Sequence, residues 1–327
     1  MAARRDTAER PLVAIVGATA TGKTQLAVAL GQRFAGEVIN ADSRQVYRYM
    51  DIGTAKPTAE ERAAVPHHLV DIVNPDQPFS LAEWLSLARA ALEDVWTRGR
   101  LPLLVGGTGQ YVWALLEGWT VPRVPPQPEL RRQLLERAAR EGGHVLFQEL
   151  QARDPEAARF IDPRNLRRVA RALEVLYVTG EPFSRARGKE PPPFRALVLG
   201  LWLPRDELYR SIDERVERMV REGLVEEVRR LLAMGYGRHL PAMSGIGYKE
   251  VAQYLAGEMD LATAVARIKT ETHRLVRHQE DWFRRDDRRI RWLRADVPDL
   301  IDEAAWLLRT ELGLQEWAPA RGPMGQG

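Results

Sequence analysis

Residues 11–34 read PLVAIVGATATGKTQLAVALGQRF. The first seven are apolar, rich in β-branched side chains and closed by a glycine, which predicts a strand. From residue 21 onward the apolar positions recur with helical periodicity. Between the two lies Gly17-Ala18-Thr19-Ala20-Thr21-Gly22-Lys23-Thr24. This is the full GxxxxGK[ST] pattern of a phosphate-binding loop, in the strand–loop–helix setting that such a loop requires. Its glycines let the backbone wrap an anion with N–H groups pointing inward, and the helix N-terminus adds its dipole. Lys23 supplies a point charge for phosphate oxygens, and the Thr24 hydroxyl can ligate Mg2+. A chance match in a structural turn would not need those flanking elements.

Moving outward, GEVINA (residues 36–41), LPLLVGG (101–107) and RALVLGLWL (195–203) predict three more strands. The amphipathic stretch SLAEWLSLARAALEDVWTRG (80–99) predicts a helix between the first two. Near-continuous apolar strands alternating with helices imply a buried parallel sheet covered on both faces. The expected fold is therefore α/β, a P-loop NTPase-like parallel sheet flanked by helices, with an inserted all-helical domain. The insertion is read at residues 119–195, between the proline-rich hinges VPRVPPQPEL (121–130) and GKEPPPF (188–194). The core then comprises residues 1–118 and 196–316, followed by a disordered tail at 317–327. After residue 203 the chain reads as helical, with 207–235 as one run, then 249–258 and 261–286.

The whole chain of 327 residues carries a net charge of +3. Residues 119–195 alone hold 15 Arg and Lys against 10 Asp and Glu, so the insertion is at +5 and the remainder at −2. A basic helical module hinged onto an α/β core suggests a clamp over a polyanion. With no cysteine, disulfides, thiolate metal sites and Cys nucleophiles are excluded. The six histidines show no zinc spacing. No apolar run approaches the roughly 20 residues needed to span a bilayer, and no secretory leader is legible. A cytoplasmic protein, acting as a monomer, is expected.

Two further stretches bear on chemistry. Asp42-Ser43-Arg44-Gln45 follows the second strand, and the C-terminal ends of strands line the ligand crevice of an open α/β sheet. A carboxylate facing bound phosphate is unfavourable unless a metal or the reaction requires it, so Asp42 reads as a general base or metal-linked acid. The competing reading is a helix N-cap. Gly106-Gly107-Thr108-Gly109-Gln110-Tyr111 closes another strand, where glycines permit close backbone approach and Thr108 could reach a substrate. That strand ends without the acid with which an NTPase positions Mg2+, which counts against an ordinary ATPase.

GATATGKT (17–24), INADSRQVYRYMDIGTAKPT (39–58), PHHLVDIVNPDQPFSLAEW (66–84) and PLLVGGTGQYVWALLEG (102–118) together resemble the bacterial tRNA dimethylallyltransferases, or tRNA isopentenyl transferases. The likeness continues through NLRRVARALEV, GLVEEVRRLL and IGYKEVAQYLAGE and covers residues 11–285. It implies transfer of a dimethylallyl group from dimethylallyl diphosphate to N6 of the adenosine just 3′ of the anticodon, in tRNAs reading codons that begin with U. Residues 17–24 would hold the diphosphate with Mg2+, and Asp42 would take the proton from the amine. Arg215 would contact the diphosphate and Thr108 the target nucleotide. The partner is the tRNA anticodon stem-loop. Ser43, Arg44 and Gln45, with Asp42 and Thr108, would meet it near the target. Arg131, Arg167, Arg168 and Arg171 would grip it from the insertion, and Arg277, Gln279, Trp282 and Arg284 from the C-terminal helix.

The chain departs from the family pattern at Ser211, where an arginine is common, and at His278 and Asp281. A P-loop kinase of a small metabolite, a prenyltransferase of free AMP and a nucleotide-gated RNA-binding protein are the competing readings. The basic insertion favours polymeric RNA over AMP, and Asp42 has no purpose in a non-catalytic binder.

Overall fold

In the computed structural model, which describes residues 10–122, 124–125, 127–186 and 188–317, Pro11–Gly17 forms strand β1 with six successive residues buried. A strand without polar alternation needs cover on both faces. β1 has it at the centre of a six-stranded parallel sheet with β2 (Gly36–Asn40), β3 (His67–His68), β4 (Leu101–Val105), β7 (Arg195–Trp202) and β8 (Ile290–Arg294), in the order β3-β2-β4-β1-β7-β8. Burying Leu12, Val13, Ile15 and Val16 contributes about 2 kcal/mol each, more than an exposed ion pair does. The apolar run, not surface charge, therefore fixes the sheet's centre.

The α/β parallel-sheet class read from the sequence is the observed one. Two strands of this sheet were not foreseen. β3 has only two residues, and β8 (IRWLR) buries Ile290 and Leu293 within an arginine-rich run that hides its pattern.

Helices α1 (Lys23–Arg33), α2 (Ala59–Ala64), α3 (Leu81–Thr97) and α4 (Gly109–Leu116) alternate with the early strands. A capping box starts α3: Ser80 accepts from the Glu83 N–H while the Glu83 carboxylate accepts from the Ser80 N–H. Residues 114–192 form a second compact unit, and the first unit resumes at Pro193. The second unit contains α5 (Pro128–Glu141), α6 (Gly143–Arg153), α7 (Pro155–Ala158) and α8 (Leu166–Thr179) around Leu134, Leu146, Leu150, Val169 and Leu173. The short strands β5 (Trp119–Thr120) and β6 (Gly188–Lys189) pair antiparallel within it, so the insertion is mostly helical and not the all-helical domain expected; strands of two residues are too short to leave a periodic signal.

The first unit then adds α9 (Arg205–Arg221), α10 (Leu224–Ala233), α11 (Tyr248–Leu255), α12 (Leu261–Trp282) and α13 (Leu300–Leu312). The single helical run expected over 207–235 is two helices, because Gly223 adopts φ +106° between α9 and α10. α1 and α13 pack on one face of the sheet through Leu26, Leu30, Ala304 and Leu308. Helices α9 to α12 share a separate core around Ile212, Val216, Leu224, Tyr248 and Ile268. Trp317, the first residue of the expected tail, donates its N–H to the Arg33 carbonyl; residues 318–327 lie outside the described residues. Among the described residues no helix is long and apolar enough to cross a membrane.

Candidate active site

The C-terminal ends of β1, β2 and β4 open into a cavity of about 940 Å³ in the first unit. Thr19, Ala20, Gly22, Lys23, Thr24, Asp42, Ser43, Arg44, Gln45, Thr108, Arg215, Gln279 and Trp282 all line it. Positions as far apart in the chain as Thr19 and Trp282 are thereby gathered around one space.

In the phosphate loop, the Lys23 ammonium donates to the carbonyls of Gly17 (3.1 Å) and Ala18 (2.6 Å), and the Thr21 hydroxyl to Ala18 (2.9 Å). Gly17, Ala18 and Thr21 shape the loop from behind and, unlike Lys23, do not line the cavity. Burial and the nearby charge of Arg215 push the Lys23 pKa down to about 8, with Asp42 pulling the other way. Desolvation likewise lowers that of Arg215, again opposed by Asp42. Among the described residues neither cation has a carboxylate ion pair. Two desolvated, uncompensated cations beside a phosphate loop make an anion site, because a bound polyanion removes both penalties at once.

Asp42 sits in a turn that its neighbours fix. Its N–H donates to the Asn40 side-chain oxygen (3.0 Å), and its Oδ1 accepts from the Arg44 N–H (2.8 Å). Among the described residues Oδ2 has no hydrogen-bond partner, which leaves a carboxylate oxygen for the cavity. Thr108 Oγ1 accepts from the Ser43 N–H (3.0 Å) and the Thr108 N–H donates to Ala41 (3.2 Å). The Thr108 hydroxyl proton is thus free to donate into the cavity.

Gln279 corrects an expectation. Read as an RNA contact, its amide is 8 % exposed and committed at both ends. Its oxygen accepts from the Thr19 N–H (2.9 Å), and its nitrogen donates to the Gly107 carbonyl (3.1 Å). It braces the phosphate loop against the end of β4. A Cβ on residue 107 would lie 2.2 Å from that nitrogen, so the glycine is required for the brace. Gln45, also expected at RNA, gives its amide to the carbonyls of Thr54 and Ala55, and Arg44 gives one guanidinium nitrogen to Pro241.

Trp282 is 42 % exposed. Arg277 is exposed and has no ion pair among the described residues, whereas Arg284 pairs with Asp286 (3.0 Å). Neither of these arginines lines the cavity.

In the helical unit the four expected arginines divide. Arg167 and Arg168 are exposed and have no ion pair among the described residues. Arg131 and Arg171 instead converge on Glu174, which is fully buried, at 2.6 Å and 3.2 Å. Arg171 also donates to the Val124 carbonyl (2.7 Å), and the Gln127 N–H to Glu174. An unpaired buried carboxylate would cost several kcal/mol, so these two arginines serve the unit's interior first.

Some contributors were not foreseen. The 2 %-exposed Glu227 on α10 accepts from the N–H groups of Asp51, Ile52 and Gly53 (3.0, 2.9 and 3.2 Å) and from the Tyr248 hydroxyl (2.6 Å). Lys56, almost fully buried, bonds Asp51, Asp71 and the Tyr47 carbonyl. Together they fix residues 51–56, which form one wall of the cavity. Residues 244–248 form another stretch of the lining. Local sequence gives little sign of either, since each depends on partners far along the chain.

A family model described as IPP transferase matches residues 45–286. The chain belongs to that family. A second model, isopentenyl transferase, matches residues 11–68. The chain is 59% identical over 274 residues to a tRNA dimethylallyltransferase of Chloroflexus aurantiacus, covering 84% of this chain and 93% of the relative. It is 53% identical to one of a Roseiflexus species, covering 91% and 98%. A solved tRNA isopentenylpyrophosphate transferase of Bacillus halodurans shares 40% identity at a TM-score of 0.68, covering 93% of this chain and 97% of that one. A eukaryotic dimethylallyltransferase acting on tRNA shares 27% at a TM-score of 0.78, covering 96% and 82%.

Membership of the family sharpens the departures. Ser211 donates its hydroxyl to the Ala20 carbonyl of the phosphate loop (3.2 Å), a role that stiffens the loop without adding charge. His278 lines the cavity, and its Nδ1 lies 3.9 Å from Asp281, so the charge of one offsets that of the other when the ring is protonated.

Proposed function

We propose that this IPP-transferase-family chain transfers a dimethylallyl group from dimethylallyl diphosphate to the N6 amine of the adenosine beside a tRNA anticodon. The observation that carries this reading is the convergence of Asp42 with two uncompensated cations, Lys23 and Arg215, on one cavity beside the phosphate loop. The N6 lone pair forms a bond to the allylic carbon as the carbon–oxygen bond to diphosphate breaks. The diphosphate leaves with that electron pair, and the N6 proton passes to the Asp42 carboxylate. Lys23, Arg215 and the loop N–H groups stabilise the charge gathering on the leaving oxygens. Thr108 donates to the incoming nucleotide.

The donor set suits Mg2+. The Thr24 hydroxyl and the Asp42 carboxylate both line the cavity, and the described residues contain no cluster of three or more acidic or histidine side chains that could hold a metal ion. That matches a cation completed by water and diphosphate oxygens. When bound, the ion would neutralise diphosphate charge.

Arg167, Arg168, Arg277 and Trp282 are the groups assigned to RNA, because their charge or ring surface is uncommitted. A monomeric enzyme in the cytoplasm is part of the proposal. A metabolite kinase would hold a nucleoside triphosphate in the same loop. The deciding experiment is mass spectrometry of an anticodon stem-loop incubated with the protein, Mg2+ and dimethylallyl diphosphate. The expected result is one added C5 prenyl unit on the adenine. An unmodified RNA, with ATP consumed in its place, overturns the reading.

A further inference from the structure

Six non-glycine residues among those described have positive φ. Three are alanines, Leu69 is buried, and Asp71 is tied to Lys56 and Arg62. The sixth is Tyr49, at φ +67° and 42 % exposed. A bulky side chain in the left-handed region is a true outlier, and such strain persists at functional sites. Core packing does not explain it, since much of the ring lies in solvent and glycine would take the same backbone without strain.

The ring lies 6.4 Å from that of Tyr236, inclined by 25°. Met234 beside Tyr236 is 46 % exposed. Arg48, next to Tyr49, is anchored to the Asp71 carbonyl (2.9 Å) and Asn74 (3.2 Å), with part of its guanidinium in solvent. Tyr49 does not line the cavity. Its chain neighbours do, Arg44 and Gln45 before it and residues 51–56 after it. An exposed aromatic face and a cation, both rigidly held on the loop that walls a nucleotide-sized space, fit a base and its phosphate just outside that space.

We infer that Tyr49, backed by Tyr236, is a stacking platform for an unpaired RNA base adjacent to the nucleotide that enters the cavity. This rests on the proposed RNA substrate. The platform holds the flanking base out of its own stack, and Arg48 meets the backbone beside it. Because it acts outside the cavity, it governs RNA affinity and leaves the chemical step untouched.

The test compares wild type, Tyr49→Gly and Tyr49→Phe on anticodon stem-loops, intact or abasic at one of the positions flanking the target, reading RNA Kd, kcat, KM for each substrate and Tm. On intact RNA, Tyr49→Gly raises Kd and KM for RNA about tenfold. It leaves kcat and the donor KM within about twofold. Its Tm stays within about 2 °C of wild type, because relieved strain and the freer unfolded chain offset each other. Tyr49→Phe behaves as wild type. One abasic position weakens wild type about tenfold and barely affects Tyr49→Gly, since the partner ring is already missing.

Unchanged RNA affinity in Tyr49→Gly, or a fall in kcat at unchanged KM, overturns the platform. So does an equal abasic penalty in both proteins at every flanking position. Should Tyr49→Gly fail to fold, Tyr49→Asn, which tolerates the left-handed region, takes its place under the same criteria. Wild type that neither binds nor prenylates the stem-loop brings down the proposed function, and the platform with it. Wild-type activity with an indifferent Tyr49→Gly brings down the platform alone.

Discussion

The cavity of the first unit and the arginine-rich helices of the second handle charge in opposite ways. Among the described residues Lys23 and Arg215 have no carboxylate ion pair, and desolvation shifts both toward losing their protons. In the helical unit most charge is spent internally: Arg131 and Arg171 on Glu174, Arg132 on Glu129 and Glu136, Arg137 on Glu141 and Glu149. There the ion pairs push the pKa values of Arg132 and Arg137 upward. A count of basic residues sees both regions as positive. Only the absence of a local partner distinguishes a charge held ready for a ligand from one that supports the fold.

The strongest way to break this contrast is at Asp42. Asp42→Asn is expected to lower the prenyl-transfer rate about 10²- to 10⁴-fold while RNA affinity stays within twofold, measured by single-turnover assay and filter binding. Retained activity would show that the carboxylate is not the proton acceptor. In the helical unit the corresponding change is Glu174→Ala, which strands two arginines. It should cost about 2–3 kcal/mol of stability, discounted because those arginines are partly in water. A melting curve at wild-type level would show that the buried carboxylate is dispensable.

The cavity cation gives a pH signature. Free Lys23 titrates near 8, and a bound diphosphate restores its charged form, so its value in the complex lies above 8. Donor affinity is therefore full below pH 8 and falls as pH rises from 8 toward the bound-state value, by up to about tenfold per unit. Titration calorimetry with diphosphate between pH 7 and 9.5 measures it, and a flat profile would mean that Lys23 stays charged in the free protein.

The smallest effect is expected where the helical unit offers free charge. Arg167→Ala and Arg168→Ala should each weaken RNA binding about threefold and reduce the slope of affinity on salt by about one. Arg131→Ala should lower Tm more than it lowers affinity. Equal effects of all three on the salt slope would erase the distinction between the two groups.

Legibility in the sequence followed how local the cause was. β1, the phosphate loop and Asp42 could be read because strand, glycines, Lys23 and the strand-end carboxylate carry their chemical reason within a few residues. The helix that follows Ser80 was equally local, its cause being the amphipathic run of residues 80–99. Gln279 could not be read correctly, because its partners Thr19 and Gly107 are 260 and 172 residues away. Glu227 looks like any helix-surface acid until the N–H groups of residues 51–53 are folded onto it. Arg131 and Arg171 were assigned to RNA because Glu174, one acid in an amphipathic helix, gave no sign of being the carboxylate buried between them. The break at Gly223 was missed for the converse reason: a glycine within a periodic run is ambiguous until its φ is known.

The amide of Gln279 joins the phosphate loop to the end of β4, the two sides on which the proposed reaction would place donor and acceptor. One end supports the backbone beside the diphosphate, the other the backbone next to Thr108, where the purine would arrive. If donor binding tightens the first contact, that ordering passes through a single planar group to the acceptor side. Thermodynamic reciprocity then requires RNA to strengthen donor binding by the same factor. Gln279→Met, matched in length but unable to form either bond, would uncouple the two affinities while leaving Asp42, Lys23 and Arg215 in place.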